Sequence, residues 1–105
     1  MKKIFISQPM NNKTDEEIST EREKAIKAIK THFQEDVEVI ESFFKGAPHN
    51  AKPLWFLGKS LELLAEADVA VFIGDWENYR GCKIEHICAV EYGITAFEIK
   101  GEDLK

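Results

Sequence analysis

Apolar residues in this chain occur in four short, mostly apolar runs, separated by longer stretches with a one-sided apolar pattern. The runs predict four strands, over residues 3–7, 37–41, 69–73 and 94–99. Consecutive apolar positions are typical of strands that are covered on both faces of a sheet. The second run alternates with glutamates, and this alternation favours a position at the sheet edge.

The stretches between the runs have the spacing of amphipathic helices. A capping box of Thr14 and Glu17 predicts the start of the first helix, which we expect to end between residues 32 and 35. Leucines at helical spacing predict a second helix over residues 54–66. A third helix is predicted from about residue 81 to residue 92, because Gly93 stands where a helix terminates.

Strands that alternate with helices pair in parallel through right-handed crossovers. We therefore predict an α/β fold, a three-layer sandwich with four or five parallel strands in the order 2-1-3-4, in one domain over residues 1–105. In such a sheet ligands bind beyond the carboxyl ends of the strands, at the point where the strand order reverses. Segments 7–12 and 74–85 are expected to meet there.

The composition and charge of the chain argue against several classes of function. The chain has 105 residues, 44% of them hydrophobic, and 14 basic against 19 acidic residues give a net charge of −5 without a basic run. We therefore expect no nucleic-acid polymer as a partner. The apolar segment before Gln8 is too short for a signal peptide or a membrane span, which favours a cytoplasmic protein without a membrane partner. Cys82 and Cys88 fall on different helix faces without metal-ligand spacing, so neither a disulfide nor a metal site is predicted.

Glu85 is the leading candidate for a functional side chain. It is predicted in the first turn of the third helix, directly after a buried strand and an aromatic loop, so that it faces the binding crevice. The alternative is a surface glutamate that only complements the helix dipole. Glu91 is a second candidate, but its position near the carboxyl end of the helix places it far from the crevice.

Three segments carry a motif pattern that spans nearly the whole chain. They are Ile4-Phe5-Ile6-Ser7-Gln8-Pro9-Met10, then Ala67-Asp68-Val69-Ala70-Val71, and then Gly81-x-x-x-Glu85-x-x-x-Ala89. In order and spacing they resemble the nucleoside 2-deoxyribosyltransferase superfamily, including its deoxynucleoside 5′-monophosphate N-glycosidase branch and a branch of small phage and bacterial proteins.

The resemblance implies a flavodoxin-like fold, a nucleoside or nucleotide ligand, and a glutamate that attacks the anomeric carbon of the sugar; Glu85 matches that glutamate. Active members of the superfamily have an aspartate where this chain has Ser60. The implied function is a nucleoside or nucleotide N-glycosidase or deoxyribosyltransferase without a metal or organic cofactor. The alternative, which Ser60 favours, is a non-catalytic protein that sequesters or senses a nucleotide-derived ligand.

The same resemblance implies ligand contacts in the first loop and at Ser60. The first loop comprises Ser7, Gln8, Pro9, Met10 and Asn11, which are expected to hold the base and sugar or the phosphate. The alternative is that this segment is only a proline turn that leads into a helix and makes no ligand contact. Asp68, at the opposite end of its strand, is expected to have a structural role.

The second loop offers aromatic faces and a helix start. Trp76 and Tyr79 are candidates for stacking on a base, although such aromatics equally fill a small core or an oligomer contact. Arg80 and Gly81 open the third helix, where backbone N–H groups suit a phosphate or carboxylate.

Relatives in the superfamily assemble as dimers or larger rings, so we expect a homo-oligomer. The aromatic residues in or beside the loop after the second strand are expected in the core or in a subunit contact rather than in the pocket wall. They are Phe43, Phe44, Trp55 and Phe56.

Overall fold

Four parallel strands form one sheet in the computed structural model of the protein, which describes residues 1–41 and 49–100. The strands are β1 (Lys2–Ser7), β2 (Val37–Val39), β3 (Val69–Ile73) and β4 (Thr95–Ile99). They lie in the order β2-β1-β3-β4, and every pairing is parallel. The predicted fold class and strand order are confirmed, and the fold is flavodoxin-like.

Three helices connect the strands. They are α1 (Asp15–Phe33), α2 (Pro53–Leu64) and α3 (Arg80–Glu91). At the start of α1 the Thr14 side chain accepts from the Glu17 N–H and the Glu17 carboxylate accepts from the Thr14 N–H, so the predicted capping box is present. Gly93, with a φ of +76°, follows α3 in the left-handed conformation that a glycine adopts without steric cost.

The sheet separates two apolar cores. On one face Ile4, Ile6 and Val71 pack with Ala25 and Ile29 of α1. The opposite face is covered by α2 and α3, which supply Leu64 and Ala89 against strand residues of the second core. The strand residues on that face are Phe5, Ala70 and Phe72. Because β1 and β3 are buried on both faces, their sequences are continuous apolar runs.

The observed boundaries differ from the predicted ones at a few positions. β2 ends at Val39 rather than at residue 41, because its register with β1 ends at Ile4, beyond which β1 pairs only with β3. A short 3-10 turn, Trp76–Asn78, which the sequence pattern did not predict, separates β3 from α3. The predicted loop over residues 43–53 and the aromatic residues Phe43 and Phe44 fall wholly or partly outside the described residues.

Asp68 has the structural role that its position predicted. Its carboxylate accepts a hydrogen bond from the Lys3 backbone N–H at 2.8 Å, and its own N–H donates to the Lys3 carbonyl at 2.8 Å. These bonds fix the entry of β3 beside β1, at the sheet end opposite the crevice. Across residues 1–41 and 49–100, no helix combines the length and the apolar character needed to cross a bilayer.

Candidate functional site

Glu85 is a buried carboxyl at the switch point between β1 and β3. Because α3 begins at Arg80, Glu85 lies in the second turn of the helix rather than in the first turn that was predicted. The residue is only 7% exposed, and its Oε1 accepts a hydrogen bond from Ser7 Oγ at 2.5 Å. Burial of this kind excludes a surface role in which Glu85 only complements the helix dipole.

Two serines from different elements act on the Glu85 carboxyl. Ser7, the last residue of β1, donates the hydrogen bond to Oε1, and Ser60, on α2, is near enough for its hydroxyl to lower the pKa of Glu85. Burial raises the pKa of Glu85, because a low-dielectric environment disfavours the charged form. The two hydroxyl hydrogen bonds act in the opposite direction and lower this pKa. The site therefore combines a desolvated carboxyl with donors that stabilise its ionised form.

Cys82 lies one turn before Glu85 on the same buried face of α3. Its thiol interacts with the Ser7 hydroxyl, and burial raises the pKa of this thiol to about 11. The thiol is neutral at physiological pH, so Cys82 is a poor nucleophile and contributes a small apolar surface. Cys88, half-buried on another face of α3, is also a free thiol.

A cavity of about 1010 Å³ adjoins the Glu85 carboxyl. The first loop contributes Gln8, Pro9, Met10 and Asn11 to its lining. The second loop, the start of α3 and α2 contribute Tyr79, Arg80, Gly81 and Ser60. The structure thus brings together most of the residues that the sequence placed in a ligand site.

Ser7 and Trp76, which were also predicted as ligand contacts, do not line this cavity. Ser7 is 1% exposed and lies behind the Glu85 carboxyl rather than in the cavity lining. Trp76 stacks on His86, with ring centroids 4.5 Å apart, and its Nε1 donates to Glu98 at 2.7 Å. The indole is thus engaged on the far side of α3, and of the two candidate stacking residues only Tyr79 lines the cavity.

The start of α2 forms a wall of the cavity that sequence reasoning missed. Pro53, Leu54, Phe56 and Leu57 line the cavity, although Phe56 was expected in the core or in a subunit contact. Leu54 is 77% exposed and Phe56 is 37% exposed, so this wall is apolar and open at its rim. Pro53 at the first helical position was the available signal, since a helix that starts there begins beside the carboxyl ends of the strands.

Gln8 is anchored at the base of the first loop. Its Nε2 donates to the Ile18 carbonyl of α1 at 2.7 Å, and this bond fixes the orientation of the amide. Its Oε1 is buried and has no hydrogen-bond partner among the described residues.

The charged side chains around the cavity mouth are mostly basic, although the chain as a whole has a negative net charge. Arg80 and Lys83 line its mouth, and Glu85 is the carboxylate among the described lining residues. At the start of α3, Tyr79 occupies the N-cap position and its side chain makes no capping hydrogen bond to the first N–H groups of the helix. The mouth is therefore more positive than a chain with a net charge of −5 would suggest.

Within residues 1–41 and 49–100, no three His, Cys, Asp or Glu side chains cluster in a way that would hold a metal ion. Comparisons of the chain with protein-family models, with curated proteins and with solved structures gave no match.

Proposed function

We propose that this protein cleaves or transfers the N-glycosidic bond of a nucleoside or nucleotide, with Glu85 as the nucleophile. The observation that carries the proposal is a buried carboxyl, bound by Ser7 and with Ser60 nearby, at the edge of a large cavity at the switch point of a parallel sheet. Perturbed carboxyls in such clefts are typical of functional sites.

The proposed reaction proceeds through a glycosyl ester. A Glu85 carboxylate oxygen bonds to the anomeric carbon while the carbon–nitrogen bond breaks, and the electron pair leaves with the base, which takes up a proton. Water, or the nitrogen of an acceptor base, then attacks the anomeric carbon and releases the carboxylate. Hydrolysis and transfer differ only in this second step.

Glu85 must be ionised to attack, and its environment sets when this occurs. Burial raises its pKa, whereas the Ser7 and Ser60 hydroxyls favour the carboxylate. We therefore expect activity to rise with pH as Glu85 loses its proton. The serines also fix the orientation of the carboxylate, which keeps one oxygen bound to Ser7.

The cavity walls suggest how a ligand is held. Met10, Phe56 and Leu57 provide apolar contact for a base, and Tyr79 provides an aromatic face. Ser60, Arg80 and Gly81 line the same cavity, and in the proposed complex they contact the sugar or a phosphate. These steps require no metal or organic cofactor. The free thiols suit the cytoplasm, which we propose as the compartment of the protein.

The test is release of free base, measured by chromatography. The protein is incubated with a panel of ribo- and deoxyribonucleosides and their monophosphates, with and without an acceptor base. Release or exchange that disappears in Glu85→Ala and persists in Glu91→Ala would establish the chemistry, because Glu91 lies at the exposed end of the same helix. Release that survives in Glu85→Ala would remove Glu85 from the mechanism.

A non-catalytic binder is the second candidate, and Ser60 favours it. Within the described part of the cavity lining Glu85 has no second carboxylate beside it, and a serine is not an acid at neutral pH. If the chemistry is latent, Ser60→Asp raises turnover. If Ser60→Asp and the wild type both release no base, while nucleosides or nucleotides raise the melting temperature, the protein is a binder.

A further inference from the structure

The segment of residues 8–13, which contains most of the first loop and leads towards α1, is anchored to α1 at both ends. At its start, Gln8 Nε2 donates to the Ile18 carbonyl at 2.7 Å. At its end, Lys13 Nζ donates to both carboxylate oxygens of Glu21, at 2.8 and 3.1 Å. The residues between these two anchors include part of the cavity lining. We call residues 8–13 the anchored segment.

A turn joins the cavity wall to the second anchor. The Lys13 backbone N–H donates to the Met10 carbonyl at 3.3 Å, and Asn12 between them has a left-handed φ of +64°. Asparagine tolerates this conformation better than most residues. Met10 and Asn11 line the cavity, whereas Lys13 is not among the described lining residues. Lys13 therefore lies behind the ligand site, at the end of the turn that forms part of its wall.

The Lys13–Glu21 ion pair is partly shielded from water. The two side chains are 19% and 29% exposed. Burial lowers the pKa of Lys13, but the Glu21 hydrogen bond and charge raise it, as do Tyr79 and Asp75 between β3 and α3, and the net change is upward. Lys13 is therefore charged at physiological pH. A fully exposed ion pair contributes little, whereas a shielded, charge-assisted pair that engages both carboxylate oxygens contributes more.

We propose that the Lys13–Glu21 pair positions the anchored segment and thereby sets the affinity of the cavity for its ligand. Lys13 is a positioning residue, because it acts through Met10 and Asn11, which line the cavity. The proposal rests on the proposed function for the class of ligand. It goes beyond that function by giving a role to two residues that the chemistry at Glu85 does not use.

The expected kinetic signature is a change in affinity without a change in the chemical step. The hydrogen bond from Ser7 to Glu85 lies at the end of β1, before the anchored segment, so it does not depend on the ion pair. Contacts of the anchored segment with the ligand are made in both the ground state and the transition state, so their loss raises KM and leaves kcat unchanged. A partial loss of folding would instead lower kcat at an unchanged KM.

Two substitutions break the ion pair and keep most of the side-chain volume. Lys13→Met removes the ammonium, and Glu21→Gln removes the charge of the carboxylate. We expect each variant to raise KM for base release about three- to tenfold, with kcat within about twofold of the wild type. Lys13→Arg retains a cation that pairs with a carboxylate and should keep KM within about twofold of the wild type.

The matched controls carry the same changes on the exposed surface of α1. They are Lys24→Met and Glu23→Gln, and both should leave KM unchanged. Circular dichroism melting of every variant identifies any loss of folding.

The motion of the anchored segment is measured without a substrate, by NMR relaxation and hydrogen exchange of the Asn11 and Asn12 backbone amides. We expect larger motion and faster exchange in Lys13→Met and Glu21→Gln, and wild-type values in Lys13→Arg and in the two controls. This measurement does not depend on turnover. A wild-type protein that releases no base would contradict the proposed function, and the role of the ion pair in holding the segment would still be decided.

Two results would overturn the proposal. Unchanged amide motion in both Lys13→Met and Glu21→Gln would show that the ion pair does not hold the anchored segment. Increased motion with an unchanged KM in both variants would show that the position of the segment does not set the affinity for the ligand.

Discussion

Glu85 and Glu91 are the same residue type on the same helix, about 9 Å apart along its axis, yet they belong to different environments. Glu85 is 7% exposed and accepts a hydrogen bond from Ser7, whereas Glu91 is exposed at the end of α3. The difference arises from the sheet, because only the amino-terminal half of α3 lies beside the carboxyl ends of β1 and β3. A local motif alone does not distinguish the two glutamates.

The largest effect should come from moving the Glu85 carboxyl without removing it. Glu85→Asp withdraws the carboxylate by one methylene, and a misplacement of about 1 Å at a reacting group can lower the rate about 10²-fold. We expect kcat to fall by this order in a base-release assay. Glu91→Asp, the matched change at the exposed end, should leave kcat unchanged, and an equal fall in both variants would contradict the distinction.

Loss of a serine that holds Glu85 should weaken folding and activity together. Ser7→Ala removes the buried donor to Oε1, and loss of a hydrogen bond to a charged group costs about 1.5–3 kcal/mol. Urea unfolding measures this loss. Thr31→Ala on the exposed surface of α1, which removes the hydroxyl that bonds the Lys27 carbonyl, is the control and should change the unfolding free energy by less than about 0.5 kcal/mol.

The pH dependence of stability should separate the two glutamates. Burial raises the pKa of Glu85 above its ordinary value of 4.5, so the folded state retains a proton that the unfolded state has already lost. Stability is therefore expected to fall as the pH rises from about 4.5 through the folded-state pKa and to show no further contribution from Glu85 above it.

Glu85→Gln should flatten this decline, since the amide does not titrate, while Glu91→Gln should retain it. Chemical unfolding at a series of pH values gives both slopes. An unchanged slope in Glu85→Gln would show that the carboxyl is not desolvated in solution.

The smallest effect is expected at Trp76, which the structure places outside the cavity. Trp76→Phe removes the hydrogen bond to Glu98 but retains an aromatic ring beside His86. We expect a loss of less than about 1 kcal/mol in unfolding free energy and no change in KM. Tyr79→Ala is the comparison, because Tyr79 lines the cavity, and an equal rise of KM in both variants would return Trp76 to the ligand site.

The sequence by itself determined the elements and their order. The runs around Phe5 and Phe72 predicted strands buried on both faces, and the Thr14–Glu17 capping box placed the start of α1. Parallel pairing in the order 2-1-3-4 followed from the alternation of strands and helices, because right-handed crossovers leave few arrangements. Strands and helix starts depend on neighbouring residues, and the strand order follows from the order of the elements, so the hydrophobic pattern of the sequence predicts all three.

Only the tertiary structure decided which side chains meet. Ser7, Ser60 and Glu85 are far apart in the sequence, and they come together because α2 and α3 pack on the same face of the sheet as neighbours. Trp76 and Tyr79 lie three residues apart in one loop, but a 3-10 turn directs Trp76 to His86 and leaves Tyr79 at the cavity. The hydrophobic periodicity of a strand or a helix predicts which side chains face the core. A loop has no such periodicity, so the direction of its side chains depends on tertiary packing.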